Sequence, residues 1–209
     1  RSIQYLREVS ERYGPQTCVW RYDTIVISTL TPVEFHCENF ARLCAKLEGV
    51  TDEVVVSFVH LYKKTLRNMN RASEEFGFVW QDPEADVKRN LLLELVPIAN
   101  AHGMKLTVCS QPDLVVAGTS EARCIDANRL QEISGRTLRA DLRGARKECG
   151  CFASRDIGDY DSCPHGCVYC YAVQNRNLAQ RRFNEHDPDS EFLYPVEEAH
   201  SDEPRPDPQ

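Results

Sequence analysis

Apolar residues recur along the first 135 positions in an order that predicts alternating strands and helices. Residues 18–22 and 24–27 are β-branched and aromatic, which favours a strand interrupted at Asp23. Residues 53–58 are almost continuously apolar, as is typical of a strand buried on both faces, and residues 105–109 predict a third strand. Apolar positions at helical spacing predict helices over residues 2–12, 31–47, 86–101 and 126–134.

This order predicts an α/β fold with a parallel sheet, because each helix returns the chain to the end of the sheet where the next strand starts. No glycine-rich phosphate loop follows any of the strands, so neither a dinucleotide-binding fingerprint nor a P-loop is supported. Three and a half strand–helix units are too few to close an eight-stranded barrel. We therefore expect a partial (β/α) TIM-barrel-like sheet over residues 1–135, with the N-terminal half of the barrel missing.

The character of the sequence changes after residue 135. Residues 136–184 are rich in Gly, Cys and Arg without clear periodicity, which predicts a cysteine-rich loop module. Residues 185–209 are acidic and proline-rich, which predicts a tail that is disordered at its end. No run reaches the roughly 18 to 20 apolar residues of a membrane span, and no signal-peptide pattern is present, so we expect a cytoplasmic protein.

Ten cysteines are unusual for a chain of 209 residues, and three of them are closely spaced. Cys163, Cys167 and Cys170 lie within eight residues, which lets several thiolates converge on one metal centre. Three ligands suit a 4Fe–4S cluster in which one iron is left open for a substrate or cofactor. The rival is a zinc site that uses His165 or borrows Cys149 or Cys151; disulfides are disfavoured by the missing secretion signal.

The CxxxCxxC order, with Tyr169 directly before the third cysteine, resembles the radical S-adenosylmethionine signature. The resemblance implies that Cys163, Cys167 and Cys170 hold the cluster, that its open iron binds S-adenosylmethionine, and that Tyr169 packs near the adenine. It also implies an electron donor, because the reduced cluster cleaves the cofactor to a 5′-deoxyadenosyl radical. In that superfamily the cysteine loop follows the first barrel strand, whereas few residues follow Cys170 here. Any cofactor site must therefore be completed by strands that precede the loop.

Further segments extend a second resemblance over nearly the whole chain. They are VWRYD (19–23), SFVHLYKKT (57–65), ARCID (122–126), ECGC (148–151), DIGDYDSCPHGCVYCYA (156–172) and HDPDSEFL (186–193). These segments resemble the bacterial domain-of-unknown-function family numbered 1848. The resemblance implies a longer protein with its cysteine cluster at the C-terminus, and hence missing N-terminal strands; it implies no reaction.

Four other cysteines could form a second site. Cys109 ends a predicted parallel strand, Cys124 lies just before a predicted helix, and Cys149 and Cys151 form a Cys-x-Cys pair. All four could lie near one edge of the sheet and bind an iron–sulfur centre or a tetrahedral zinc ion. For Cys109 and Cys124 the alternative is that they are small buried hydrophobic residues. Packing explains the remaining three cysteines better, namely Cys18, Cys37 and Cys44.

Polar residues outside the cysteine loop supply the candidate catalytic groups. Arg21 and Asp23 stand at the end of the first predicted strand, the rim that carries active-site residues in barrels. Arg21 could bind a carboxylate or phosphate and Asp23 could act as a base, or the two could form an ion pair that ties the strand to its neighbour. A basic stretch over residues 136–147 could contact nucleic acid. A solvated charge run is the simpler explanation, because no aromatic residues are interleaved and the net charge is −7.

The sequence therefore predicts a 4Fe–4S protein that acts as a radical S-adenosylmethionine-type enzyme on an unknown substrate. A metal-binding protein without catalytic activity, holding a cluster for electron transfer or a structural zinc ion, is the alternative.

Overall fold

The computed structural model describes residues 1–144, 147–155 and 157–193. Contacts divide the chain into two compact units. Among the described residues, the first unit comprises those within 1–61 and 69–155, and the second comprises residues 62–68 and 157–193. Of the predicted acidic tail, only the part up to Leu193 is described, so the disorder predicted for its end lies outside the described residues.

Helices and strands alternate over residues 2–134, as the apolar pattern predicts in outline, and one further helix lies in the second unit. The helices are α1 (Ser2–Tyr13), α2 (Val33–Leu47), α3 (Lys63–Phe76), α4 (Ala85–Ala101), α5 (Ala127–Ser134) and α6 (Arg176–Glu185). The strands are β1 (Trp20–Ile25), β2 (Ile27–Ser28), β3 (Glu53–Phe58), β4 (Trp80–Gln81), β5 (Lys105–Val108) and β6 (Thr119–Glu121).

Four strands form one sheet in the order β1-β3-β5-β6, and every neighbouring pair is parallel. This confirms the predicted parallel α/β architecture. The short strands β2 and β4 pair antiparallel in a separate two-stranded sheet. Within the part of the chain that the structure describes, the four-stranded sheet is open and no barrel is formed.

One face of the sheet carries the hydrophobic core. Val54, Val56 and Phe58 of β3 pack with buried residues of α2 and α4, such as Phe40 and Leu92. Alternate residues of a strand point to opposite faces, so the other face carries Val55 and Ser57 together with their neighbours in register. That face has only a small apolar cluster, made of Val55, Cys109 and Ala122. The polar residues of the sheet therefore concentrate on one face.

No helix of the described residues has the length and apolar character needed to cross a membrane. This agrees with the apolar runs of the sequence, which are all shorter than a span requires.

A buried histidine on α2 gives the fold a pH dependence. His36 is 5% exposed, and its Nε2 lies 3.0 Å from the carbonyl oxygen of Val26. Its Nδ1 lies 2.9 Å from the hydroxyl oxygen of Tyr22. Burial lowers the pKa of His36, and the hydrogen bond to Val26 opposes that shift only in part. The ring is therefore neutral in the folded protein at neutral pH.

We expect the free energy of unfolding to fall as the pH drops below about 6.5. In that range the unfolded chain takes up a proton at His36 that the folded chain does not, so stability present above this pH is lost as the pH falls toward the lowered pKa. Urea unfolding at about pH 7.5 and 5.5 measures the effect. The variant His36→Gln should show a smaller difference between the two pH values, and an equal difference would contradict the prediction.

Candidate metal centres

A polar cluster of Arg21, Asp23 and Ser57 lies at the carboxyl ends of β1 and β3. The parallel register places Asp23 opposite Ser57. One carboxylate oxygen of Asp23 accepts hydrogen bonds from Nε of Arg21 at 3.1 Å and from Nη2 at 2.5 Å. The other accepts a hydrogen bond from the Ser57 hydroxyl. Both oxygens of Asp23 are thus engaged and orient the guanidinium, while the Arg21 side chain stays 40% exposed and accessible to an anionic group.

Two of the predicted cysteine ligands lie beside Arg21. Cys109 directly follows β5, and Cys124 lies shortly after β6. Their sulfur atoms are 3.6 Å apart, and Nη1 of Arg21 lies 2.7 Å from the sulfur of Cys124. Cys109 is buried, whereas Cys124 is exposed. The two thiols and the guanidinium therefore form one cluster at the carboxyl edge of the sheet.

This cluster stabilises a single thiolate. The pKa of Cys109 is lowered to about 5, because the thiol of Cys124 donates a hydrogen bond to its sulfur and because Arg21 and Ser110 stabilise its negative charge. The pKa of Cys124 is raised, because Cys124 keeps the proton that it shares with Cys109 and because it is partly buried. A thiolate next to a guanidinium is the form in which cysteine binds metals and acts as a nucleophile.

The segment with Cys149 and Cys151 lies against the loop that contains Cys124. The backbone N–H of Phe152 donates to the carbonyl oxygen of Ile125 at 3.0 Å, and the N–H of Ile125 donates to the sulfur of Cys151 at 3.4 Å. The sulfur of Cys151 also accepts a hydrogen bond from the backbone of Cys124 and contacts the side chain of Cys149. Within the first unit, Cys151 therefore lies beside the segment of Cys124 and Cys149 lies beside Cys151.

In the second unit, the CxxxCxxC motif lies in a loop whose ends are joined through Asp161. The backbone N–H of Asp161 donates to the carbonyl oxygen of Ala172 at 3.2 Å, and its carboxylate accepts hydrogen bonds from the N–H groups of Gln174 and Asn175. Between these ends, turns at residues 164–165 and 168–169 separate the three cysteines. Gly166 has a φ of +67°, a conformation that glycine adopts without steric cost.

Helix α6 and the first turn of α3 support this loop through its carbonyl groups. The side chain of Asn175 caps α6, and two arginines of α6 reach the loop: Arg176 donates to Gly166 at 2.9 Å and Arg182 donates to Tyr160 at 2.8 Å. Lys64 and Thr65 donate to the carbonyl oxygens of Val173 and Tyr169. Because these bonds use backbone oxygens, none of them engages a cysteine sulfur.

The thiols of the loop are available as ligands. Cys163 and Cys167 are exposed and Cys170 is half-buried, and none of the three forms a disulfide. Nδ1 of His165 lies 3.3 Å from the sulfur of Cys163. Tyr169, the predicted adenine neighbour, sits in the second turn with 38% of its surface exposed.

A single metal ion and an iron–sulfur cluster place different demands on these ligands. Within residues 1–144, 147–155 and 157–193, no three His, Cys, Asp or Glu side chains are placed to hold one metal ion. In a cluster each thiolate binds a different iron, so its ligands lie farther apart than those of a single ion. The three cysteines of the loop form no disulfide and are separated by its two turns, and sulfur is the ligand that iron–sulfur clusters select.

Three supporting residues were not identified from the sequence. Ser57 alternates with apolar residues on β3, so a period-two reading would have put it on the face that carries Asp23. Asn175 before a polar helix is a capping signal for α6, and with it Arg176 would have been recognised as the first helical residue. The closing role of Asp161 depends on contacts with residues 172–175 and has no local signal.

The family described as a domain of unknown function (DUF1848) matches residues 1–172. The match covers both groups of cysteines and Arg21, and it ends two residues after Cys170. No curated protein and no solved structure matches the chain. The family match extends over most of the chain and includes all ten of its cysteines, and on that basis the protein belongs to the DUF1848 family.

Proposed function

We propose that this protein binds a 4Fe–4S cluster through Cys163, Cys167 and Cys170 and acts as a radical S-adenosylmethionine-type enzyme. The observation that carries the proposal is the closed loop: its two turns separate three thiols that form no disulfide, and side chains of Asp161 and Arg176 hold its backbone. Three thiolates leave one iron without a protein ligand, which is the coordination that a chelating cofactor requires. When bound, the reduced cluster supplies one electron that cleaves S-adenosylmethionine into methionine and a 5′-deoxyadenosyl radical.

The chain's own residues would bind and position the reactants. In the second unit, the half-exposed ring of Tyr169 lies one residue before Cys170 and is the candidate to pack against the adenine. In the first unit, the guanidinium of Arg21 is oriented by Asp23 and is the candidate to bind a carboxylate or phosphate of the substrate. Asp23 then acts as a positioning residue, since both of its oxygens are already engaged.

The proposal also includes a fold, a location and a partner. The strand order β1-β3-β5-β6, with every neighbouring pair parallel, supports the proposal that the sheet is part of a (β/α) barrel. Ten free cysteines suit a reducing compartment, which supports a cytoplasmic location. A one-electron donor is the partner that the chemistry requires.

Anaerobic purification, reconstitution with iron and sulfide, and EPR of the reduced protein test this function. We expect a 4Fe–4S signal that changes when S-adenosylmethionine is added, and 5′-deoxyadenosine as a product of the reduced protein. A cluster signal that does not respond to the cofactor would refute the enzyme and leave electron transfer. A protein that takes up one zinc ion per chain at this loop and no iron would refute both.

The zinc alternative is favoured by one contact. Nδ1 of His165 lies 3.3 Å from the sulfur of Cys163, so His165 could complete a Cys3His set with the three cysteines of the loop. His165 lies on the turn between Cys163 and Cys167. The variant His165→Ala therefore separates the two functions, because only the zinc site uses the imidazole.

A further inference from the structure

We infer that Cys109, Cys124, Cys149 and Cys151 form a second metal site, which binds one tetrahedral zinc ion. The site belongs to the first unit and shares no ligand with the cysteine loop. Its metal can therefore be tested separately from the proposed cluster.

The distance between Cys109 and Cys124 indicates a single ion. A tetrahedral zinc ion with Zn–S bonds of about 2.3 Å spaces its sulfurs about 3.8 Å apart. The two sulfurs are 3.6 Å apart, so one ion can bind both without a change in the strands that carry them. A 4Fe–4S cluster would need them farther apart, because each thiolate binds a different iron.

The second pair of thiols is held next to the first by backbone contacts. The sulfur of Cys151 accepts hydrogen bonds from the backbone N–H of Ile125, at 3.4 Å, and from the backbone of Cys124. Cys149 contacts Cys151 through its side chain. In the part of the chain that the structure describes, the sulfurs of these four cysteines do not surround a single point. Cys109 and Cys124 already have the spacing of two zinc ligands, so binding requires the thiol of the half-buried Cys149 to turn toward the ion.

The groups beside the four cysteines can offset the negative charge of such a site. One Zn²⁺ and four thiolates carry a net charge of −2, and binding releases the protons of the thiols. The guanidinium of Arg21, whose Nη1 lies 2.7 Å from the sulfur of Cys124, offsets part of that charge. N–H groups that donate to a ligand sulfur are typical outer-shell partners of metal sites, and they raise affinity by fixing the ligand. Arg21 supplies the opposite charge, and the N–H of Ile125 supplies a donor to the sulfur of Cys151.

Cobalt binding to a variant without the cysteine loop tests the site separately from the cluster. The triple variant Cys163→Ser, Cys167→Ser, Cys170→Ser removes all three proposed cluster ligands. We expect the reduced variant to bind one Co²⁺ per chain with the absorption bands of a tetrahedral thiolate complex, and Zn²⁺ to displace it. Iron content and EPR of the unmodified protein report on the cluster alone, so each proposal can fail without the other.

Variants of the ligands and a matched control define the site. Adding Cys124→Ser or Cys151→Ser to the triple variant should weaken Co²⁺ binding by more than the roughly 10- to 100-fold that loss of an outer-shell partner causes, whereas Arg21→Gln should fall within that range. Cys37→Ser is the control, because Cys37 is also half-buried in the first unit but bonds to Glu94 instead. Its Co²⁺ affinity should not change.

Alkylation of the triple variant gives a readout that does not depend on a further substitution. Zn²⁺ should protect the four proposed ligands from iodoacetamide, as located by mass spectrometry, and leave Cys37 as reactive as before. The inference is overturned if the folded triple variant binds no Co²⁺, or if binding survives the loss of Cys124 and Cys151. A disulfide between Cys109 and Cys124 in place of a metal, formed even under reducing conditions, would also overturn it.

Discussion

Replacing any one of Cys163, Cys167 and Cys170 by serine is expected to remove the cluster and to reduce cleavage of S-adenosylmethionine to background. Each variant leaves two irons of the cluster without a protein ligand instead of one. The loop contains no further cysteine, and Asp161, α6 and α3 hold its backbone in place. Iron and sulfide analysis after anaerobic reconstitution, together with a 5′-deoxyadenosine assay, measures the loss.

Two controls make this loss specific. Cys37→Ser removes a half-buried thiol from the first unit and should retain the full iron content. His165→Ala removes the imidazole beside Cys163 and should also retain iron. A serine variant of the loop that keeps a full cluster would contradict the proposed ligand set, and loss of the metal on His165→Ala would identify the zinc alternative.

The parts of the fold that follow from local sequence were predicted well. The run of apolar residues over 53–58 coincides with β3. A strand that is buried on both faces needs apolar side chains at nearly every position, so the run is visible in the sequence. Helix α4 was predicted to within one residue, and it continues through Pro97. Helix α5 begins one residue after its predicted start, and the carboxylate of Asp126 caps it by accepting hydrogen bonds from the N–H groups of Asn128 and Arg129.

Where the sequence prediction differs from the structure, tertiary contacts decide the local conformation. Asp23 was taken as a break in the first strand. The strand β1 continues through Asp23, whose carboxylate is bound by Arg21 and Ser57, but its pairing with β3 shifts register between Asp23 and Ile25. Helix α3 was not predicted because its sequence is mostly polar; only a narrow stripe that includes Met69 and Ala72 is buried.

The two groups of cysteines also differ in how far the local sequence identifies them. The spacing of Cys163, Cys167 and Cys170 is a local property, so the sequence alone identifies them as one group. Cys109 and Cys151 are far apart in sequence, and only the parallel pairing of β5 with β6 and the contact of Phe152 with Ile125 place them in one neighbourhood. The sequence could raise the second site as a hypothesis, whereas its geometry required the fold.

Replacing Arg129 by alanine is expected to lower the free energy of unfolding by about 2 to 3 kcal/mol, the largest effect on stability that we predict for a charged residue. Arg129 on α5 donates to Glu53 at 2.9 Å and to Asp52, and its Nε donates to the carbonyl oxygen of Gln16 at 2.8 Å. Its side chain is 19% exposed and that of Glu53 is 15% exposed. Removing the guanidinium leaves the Glu53 carboxylate half-desolvated without its counter-charge, and the cost of that exceeds the value of the ion pair itself.

Arg89→Ala is the matched control, because Arg89 makes the same kinds of contact at the surface. It donates to the carboxylate of Asp86 at 2.7 Å and to the carbonyl oxygen of Asp113 at 2.9 Å, but the Asp86 side chain is 89% exposed. Solvent screens such a pair, so we expect a loss below about 1 kcal/mol. Urea unfolding of both variants measures the difference. Because α5 begins directly after the segment of Cys124, equal losses in the two variants would mean that Arg129 does not fix α5, and with it Cys124, to the sheet.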